Sequence, residues 1–297
     1  MRPDVVCAGS PFLDIVFRGL PRIPQAGEEV LASGVVTVPG AMANVAYALR
    51  QLGLDAVVCS PIGKDPVGRL LQELMAEAGV PWIGAPADAT SLTVALPIDD
   101  ERAFVTVQSD ARIDLDAVAA LAPRAVVVNL PLPGRMPSGA WIYGVVGDPQ
   151  VAILRDEGPR SLSELRALVL NEREARDITG RSDTVAAAAE LAARGCLVVM
   201  TRGALGAVVA DPDGSILESA AVRRNAQDTV GAGDLFTAAF IWADLLGRSV
   251  EDRLYLANAY ASLSLAQAVP RQKGLAAAAF REALGEMETP MDRLLEV

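Results

Sequence analysis

The sequence predicts an α/β fold: a mostly parallel central sheet between two layers of helices, with a small β lid over one end. Three observations predict it. Short apolar runs at 4–9, 56–60, 125–129, 142–146 and 196–201 alternate with segments whose apolar residues recur at helical spacing, as strand–helix–strand units do. Two β-rich pieces, 11–38 and 90–108, break that alternation and read as an inserted lid. Finally, 52% of the 297 residues are hydrophobic, enough for a substantial core. Yet the runs stay short of the ~18 uninterrupted apolar residues of a membrane span. The expectation is one domain over 1–297.

In chain order, residues 4–9 (Asp-Val-Val-Cys-Ala-Gly) read as a buried strand, followed by a Pro- and Gly-punctuated stretch whose section Gly34 to Val38 alternates. Gly40-Ala41-Met42-Ala43-Asn44 opens a helix with Val45, Leu49 and Leu52 on one face and Gly53 as its stop. Asp65-Pro66 is an N-cap and first-turn pair for a helix through Leu70, Leu71, Leu74 and Met75, ended by Gly79. Runs 92–98 and 103–107, joined by Asp99-Asp100-Glu101-Arg102, form a hairpin. Strands follow at 125–129 and 142–146, a helix from Val185 to Arg194, then strands at 196–201 and 207–210 with Asp211-Pro212-Asp213-Gly214 as a turn. Helices over 234–246, 251–266 and 275–286 complete the chain.

A net charge of −11 disfavours nucleic acid and anionic membranes as partners. With no histidine, Ser-His-Asp chemistry, Cys-His chemistry and His-ligated zinc are excluded. Any general base is a carboxylate, Lys, Tyr or Cys. Cys7, Cys59 and Cys196, an odd number in apolar runs, read as buried thiols in a reducing compartment. Met-Arg-Pro-Asp runs straight into a strand, so no signal peptide is expected and the chain is placed in the cytoplasm.

The stretch Asp228-Thr229-Val230-Gly231-Ala232-Gly233-Asp234 is a polar loop opening into the apolar helix of Leu235, Phe236, Ala238, Ala239, Ile241 and Trp242. Glycines before a helix let the backbone approach a bound group, and the free N–H groups of the first turn attract an anion. Asp234 beside that turn suits removal of a proton from a hydroxyl attacking a phosphoryl group. A second reading makes Asp234 an ordinary N-cap and the glycines a turn; these residues alone leave both open. The dinucleotide fingerprint fails because Phe236 stands where a third glycine belongs, and Gly63-Lys64 is followed by Asp65, so no Walker A loop is present.

Asp228 to Asp234 resembles the C-terminal signature of the ribokinase-like (PfkB-type) carbohydrate kinases, and further segments match in that family's order. Asp14 follows Gly9-Ser10-Pro11-Phe12-Leu13, where the family places an Asp that grips sugar hydroxyls. Gly40 to Asn44 resembles the Gly-Gly-x-x-x-Asn sugar loop, with Pro39 in place of the first glycine. Gly63-Lys64-Asp65-Pro66-Val67-Gly68 matches Gly-x-Asp-x-x-Gly and reads mainly as a helix start. Asn171-Glu172-Arg173-Glu174 matches Asn-x-x-Glu, and Thr201-Arg202-Gly203-Ala204-Leu205-Gly206 matches Thr-x-Gly-x-x-Gly.

The resemblance implies a ribokinase-like three-layer α/β/α core and ATP-dependent phosphorylation of a hydroxymethyl group on a small sugar. Asp234 would be the base, and Gly231, Ala232 and Gly233 would hold the developing charge. Asp14, Gly40 and Asn44 would bind the sugar, and Asn171 and Glu174 would order water around Mg²⁺. Thr201, Gly203, Gly206 and Asn258 would line the ATP site, although Asn258 also reads as a solvated helix face. Relatives complete a K⁺ site from the Asp228 position through the 266–274 tail. The alternatives are a nucleoside kinase and a catalytically silent sugar- or nucleotide-binding homologue. An exposed lid edge points to a homodimer through the lids. The Gly40 loop lacks Lys and Arg and holds Met42, which points to a neutral or nucleoside-like acceptor, with Arg102 and Arg112 the lid cations that could reverse this.

Overall fold

The computed structural model describes residues 2–98, 101–156, 162–222, 230–266 and 273–286. Strand β1 (Val5–Ala8) leads into β2 (Pro11–Arg18) and β3 (Gly34–Ala41), then helix α1 (Met42–Gln51). After β4 (Ala56–Cys59) and β5 (Ile62–Gly63) comes α2 (Pro66–Glu77), then β6 (Trp82–Ile83), β7 (Pro86–Ala87), β8 (Leu92–Ile98) and β9 (Glu101–Val107). The middle of the chain is α3 (Leu115–Ala120), β10 (Ala125–Asn129), β11 (Trp141–Val145), α4 (Asp148–Asp156), β12 (Ala167–Asn171), α5 (Glu172–Thr179) and α6 (Thr184–Ala192). The last third holds β13 (Leu197–Thr201), β14 (Ala207–Ala210), β15 (Ile216–Ser219), α7 (Ala232–Leu245), α8 (Val250–Leu265) and α9 (Ala277–Gly285).

Nine strands form one sheet in the order β15-β14-β13-β12-β11-β10-β1-β4-β6, parallel except for the antiparallel pairs β13–β14 and β14–β15 at one edge. Its inner strands are apolar on both faces, as a doubly covered parallel sheet requires. Alternation sorts each strand onto two cores. Val5, Cys7, Val58, Val127, Val169 and Val199 pack with α1, α2, α7, α8 and α9. Val6, Ala8, Val57, Val128, Leu168 and Met200 pack with α3 to α6. This is a ribokinase-like α/β architecture of three layers.

Strands β3-β2-β8-β9 form a second sheet, with β2–β8 parallel and the outer pairs antiparallel. The hairpin read from 92–98 and 103–107 is the β8–β9 pair, while residues 99 and 100 lie outside the described residues. Strand β3 runs on to Ala41, so Gly40 belongs to the lid sheet and the helix begins two residues later. Asp65 caps α2 as its sequence context implies: its carboxylate accepts the Gly68 N–H at 2.7 Å and the Thr90 N–H at 2.8 Å. One carboxylate thus ties a core helix to the entry of lid strand β8.

Helix α7 is braced at its far end. Buried Asp244 accepts from the Tyr143 hydroxyl at 2.7 Å, from Arg166 at 2.9 and 3.0 Å, and pairs with Arg253 at 2.9 Å. Burial alone would raise its pKa, but these donors hold it below the usual carboxylate value. Arg166 is also stacked over Trp141 at 4.3 Å. Breaking such a buried pair costs several kcal/mol, because a charge is left uncompensated.

Candidate active site

The polar residues of the site end apolar strands. Asn129 follows Ala125–Val128, Asn171 follows Ala167–Leu170, and Thr201 follows Leu197–Met200. By strand alternation each shares the face of Val127, Val169 and Val199, the side covered by α1, α7 and α8. The C-terminal edge of a parallel sheet is where open α/β folds place ligands.

Helix α7 starts over this edge. Its N-cap is Gly231, in the left-handed region at φ 82°, with no side-chain cap. Asp234 is therefore the third residue of the helix, which decides against the N-cap reading. Its carboxylate instead accepts from Asn44 Nδ2 at 3.0 Å, across 190 residues of sequence. Asn44 is 8% exposed, on the first turn of α1, which packs on α7. A Cβ on Gly231 would collide with the Asn44 amide, so glycine meets both the backbone and the space requirement here. The leading N–H groups of α7 lie open to an anion.

Burial pushes Asp234 up to about 6, against the Asn44 bond, which lowers it. Asp14, on β2, is pushed up to about 7, first by burial and then by the charge of Asp234. The two carboxyls thus share one cleft. A Cβ on Gly40 would overlap the Asp14 carboxyl, so Gly40 leaves the space in which Asp14 sits. Burial, and next Asp234, hold the Cys7 thiol well above its ordinary value, which keeps it inert.

Asn171 and Glu174 form a capping box on α5. The Asn171 side chain accepts the Glu174 N–H at 2.9 Å, and Glu174 accepts the Asn171 N–H at 2.8 Å. Glu174 is 8% exposed; burial pushes it up to about 7 against the Asn171 bond, with Asp148 adding to the rise. A buried carboxyl lifted this far gains from a nearby cation, so the donor set fits hydrated Mg²⁺. Among the described residues no group of three or more Cys, Asp or Glu could hold a bare ion.

Thr201 pairs with Asn171 in register and leads into a single 3-10 turn at Gly203–Leu205. Gly203 faces open space, whereas a Cβ on Gly206 would strike the Ser219 carbonyl. Asn258 is 5% exposed and donates to that same carbonyl at 3.1 Å, which overturns the solvated-face reading.

Some expectations fail or fall elsewhere. Met42 is 2% exposed and packs over Gly9 in the core, so it offers no surface to an acceptor. Asp228, residues 267–272 and the Arg102 side chain lie outside the described residues. Arg112 is exposed. Asn129, which no motif marked, crowds the space above Gly9. Its one signal in the sequence is an amide ending an apolar strand.

A model of the pfkB family carbohydrate kinases matches residues 4–127 and 148–273. The bifunctional protein HldE of Halorhodospira halophila (strain DSM 244 / SL1) is 31% identical over 286 residues, covering 87% of this chain and 59% of that protein. The chain spans between half and two thirds of the HldE proteins it matches. The ATP-dependent ribose-1-phosphate kinase of Halopiger xanaduensis (strain DSM 18323 / JCM 14033 / SH-6) is 28% identical, covering 88% of this chain and 91% of the relative. Among solved structures, adenosine kinase from Sinorhizobium meliloti superposes with a TM-score of 0.75 at 22% identity, over 95% of this chain and 100% of that one.

Proposed function

This chain belongs to the pfkB family of carbohydrate kinases, and on that premise we propose that it transfers the γ-phosphoryl group of ATP to a hydroxymethyl group of a small sugar. One observation carries the reading. Asp234 is a carboxylate spared from capping, placed at the open N–H groups of residues 231–233 and held by Asn44 at 3.0 Å.

Asp234, near pH 6, is ionised at neutral pH and takes the proton of the attacking hydroxyl. The N–H groups of Gly231, Ala232 and Gly233 stabilise the charge on the phosphoryl group in flight. Asp14 and Asn44, with the space at Gly40, hold and orient the acceptor. Thr201, Gly203, Gly206 and Asn258 line the nucleotide side, and Asn171 and Glu174 would hold Mg²⁺ through water. When bound, Mg²⁺ neutralises phosphate charge. A K⁺ site beginning at Asp228 belongs to the same reading.

The proposed organisation is a single domain with 11–38 and 90–108 as lid. Lid residues Val35, Phe104, Val105 and Val107 are 57–61% exposed, which supports pairing of two lids in a homodimer. Three buried free cysteines support a cytoplasmic setting. Among the described residues no helix is long and apolar enough to cross a membrane.

Absence of Lys and Arg from residues 40–44 favours a neutral acceptor. The test is an ADP-release screen with Mg-ATP against neutral sugars, sugar acids, sugar phosphates and nucleosides. A neutral sugar should exceed its phosphate in kcat/KM by at least ~10-fold, about 1.4 kcal/mol. ADP release with nucleosides alone would install the nucleoside-kinase reading, and none with any acceptor would leave a silent binding protein.

A further inference from the structure

We infer that Lys273 is a positioning residue of the phosphoryl-binding turn: its ammonium fixes the Val230 peptide and places positive charge behind the N–H groups of residues 231–233. The inference rests on the kinase reading of that turn. Lys273 Nζ donates to the Val230 carbonyl at 3.0 Å, across 43 residues. That carbonyl and the Gly231 N–H belong to one planar trans peptide and point in opposite directions. Holding the oxygen on Lys273 therefore aims the Gly231 N–H the other way, at the start of α7. Gly231 is left-handed, a conformation that glycine exchanges readily for others, so an outside anchor has something to hold.

The anchor is itself rigid. Gly274 follows Lys273 at φ 148°, and a Cβ there would stand 3.2 Å from both the Tyr260 hydroxyl and the Tyr47 ring. Tyr260, fully buried on α8, donates to the Leu275 carbonyl at 3.0 Å. The Leu275 N–H in turn donates to buried Ser264 Oγ at 3.2 Å. The residues next to Lys273 are thus bolted to α8 and to Tyr47 of α1, the helix that carries Asn44.

Charge gives the arrangement its purpose. The protein carries −11 overall, and residues 228–236 contain no Lys or Arg. A polyphosphate approaching this turn meets long-range repulsion, with Asp234 and Asp14 nearby. An ammonium one peptide behind the turn offsets that field at short range, where screening is weakest.

The test compares Lys273→Met, which keeps the stem and removes the charge, with Lys273→Arg, which keeps a cation. Titration calorimetry with the Mg complex of a non-hydrolysable ATP analogue, which keeps the γ-phosphoryl group, should show affinity about 10-fold weaker in Lys273→Met and within ~3-fold of wild type in Lys273→Arg. With the best acceptor of the screen, Lys273→Met should raise the ATP KM and lower kcat while the acceptor KM stays within two-fold. Melting curves identify variants that merely unfold, and Lys273→Gln is the milder replacement if Lys273→Met melts early. Affinity for that analogue within two-fold of wild type in the folded, uncharged variant overturns the inference. So does equal damage by Lys273→Arg. The analogue titration needs no turnover, so it decides on Lys273 even if no acceptor is phosphorylated.

Discussion

Replacing Asp234 by Asn should disable the enzyme and stabilise the protein at once. The substitution keeps shape, and an amide oxygen still accepts from Asn44. What it removes is a half-buried charge. The folded protein holds the Asp234 carboxyl at about 6, against 3.8 for an ordinary aspartate, so the fold favours the protonated form. Stability from this group is therefore present at low pH and lost as pH rises through about 6. At pH 8 the ionised carboxylate costs about 3 kcal/mol at 1.36 kcal/mol per pH unit, and its access to the cleft reduces this to ~1–2 kcal/mol. Relief of the Asp14–Asp234 repulsion acts in the same direction. Lacking that charge, Asp234→Asn should melt about 2–3 °C above wild type at pH 8. The gain should shrink as pH falls through 6 and vanish below 3.8, where both states of the wild type are protonated. Turnover should fall by ~10² or more, the range of a lost general base, with ATP affinity within a few-fold. Thermal melts from pH 4 to pH 8, read beside steady-state rates, make the measurement. Near-normal turnover refutes the role of the carboxylate; a melting point that is unchanged or lower at pH 8 refutes the electrostatic account.

Glu174→Gln keeps a side chain able to complete the capping box, so its melting temperature should stay close to wild type while the Mg²⁺ needed for half-maximal rate rises. If only sugar affinity changed, the pair would belong to the acceptor side. Ala41 links β3 to α1 at φ 50° and ψ −123°, a conformation disfavoured for any residue with a Cβ. Ala41→Gly should therefore raise stability by about 1 kcal/mol after the entropic penalty of glycine, and a lower melting temperature would show that the site is unstrained. Phe104→Glu with Val105→Lys on lid strand β9 should give a monomer by light scattering if lids pair; a wild-type protein already monomeric at micromolar concentration defeats the homodimer.

Local chemistry wrote much of this fold into the chain. Apolar runs of four or five residues between helical segments specify parallel strands, Asp65-Pro66 starts α2, and Gly231 marks the start of α7. Those signals act within one or two turns of backbone, so they survive without tertiary context. Short elements with weak periodicity, α3, α4 and β15, did not. Tertiary packing alone decided the chemistry of individual side chains. Asp234 is free of capping because Gly231 takes that place, and it meets Asn44 because α1 packs against α7. Met42 turns inward, since the space over Gly9 accepts it. Asn258, polar on a helix, is buried because the end of β15 offers it a carbonyl. The reason is range: hydrogen bonding and periodicity act between neighbours, whereas burial, shared fields between carboxyls, and the reach of Lys273 to Val230 exist only once distant segments are brought together.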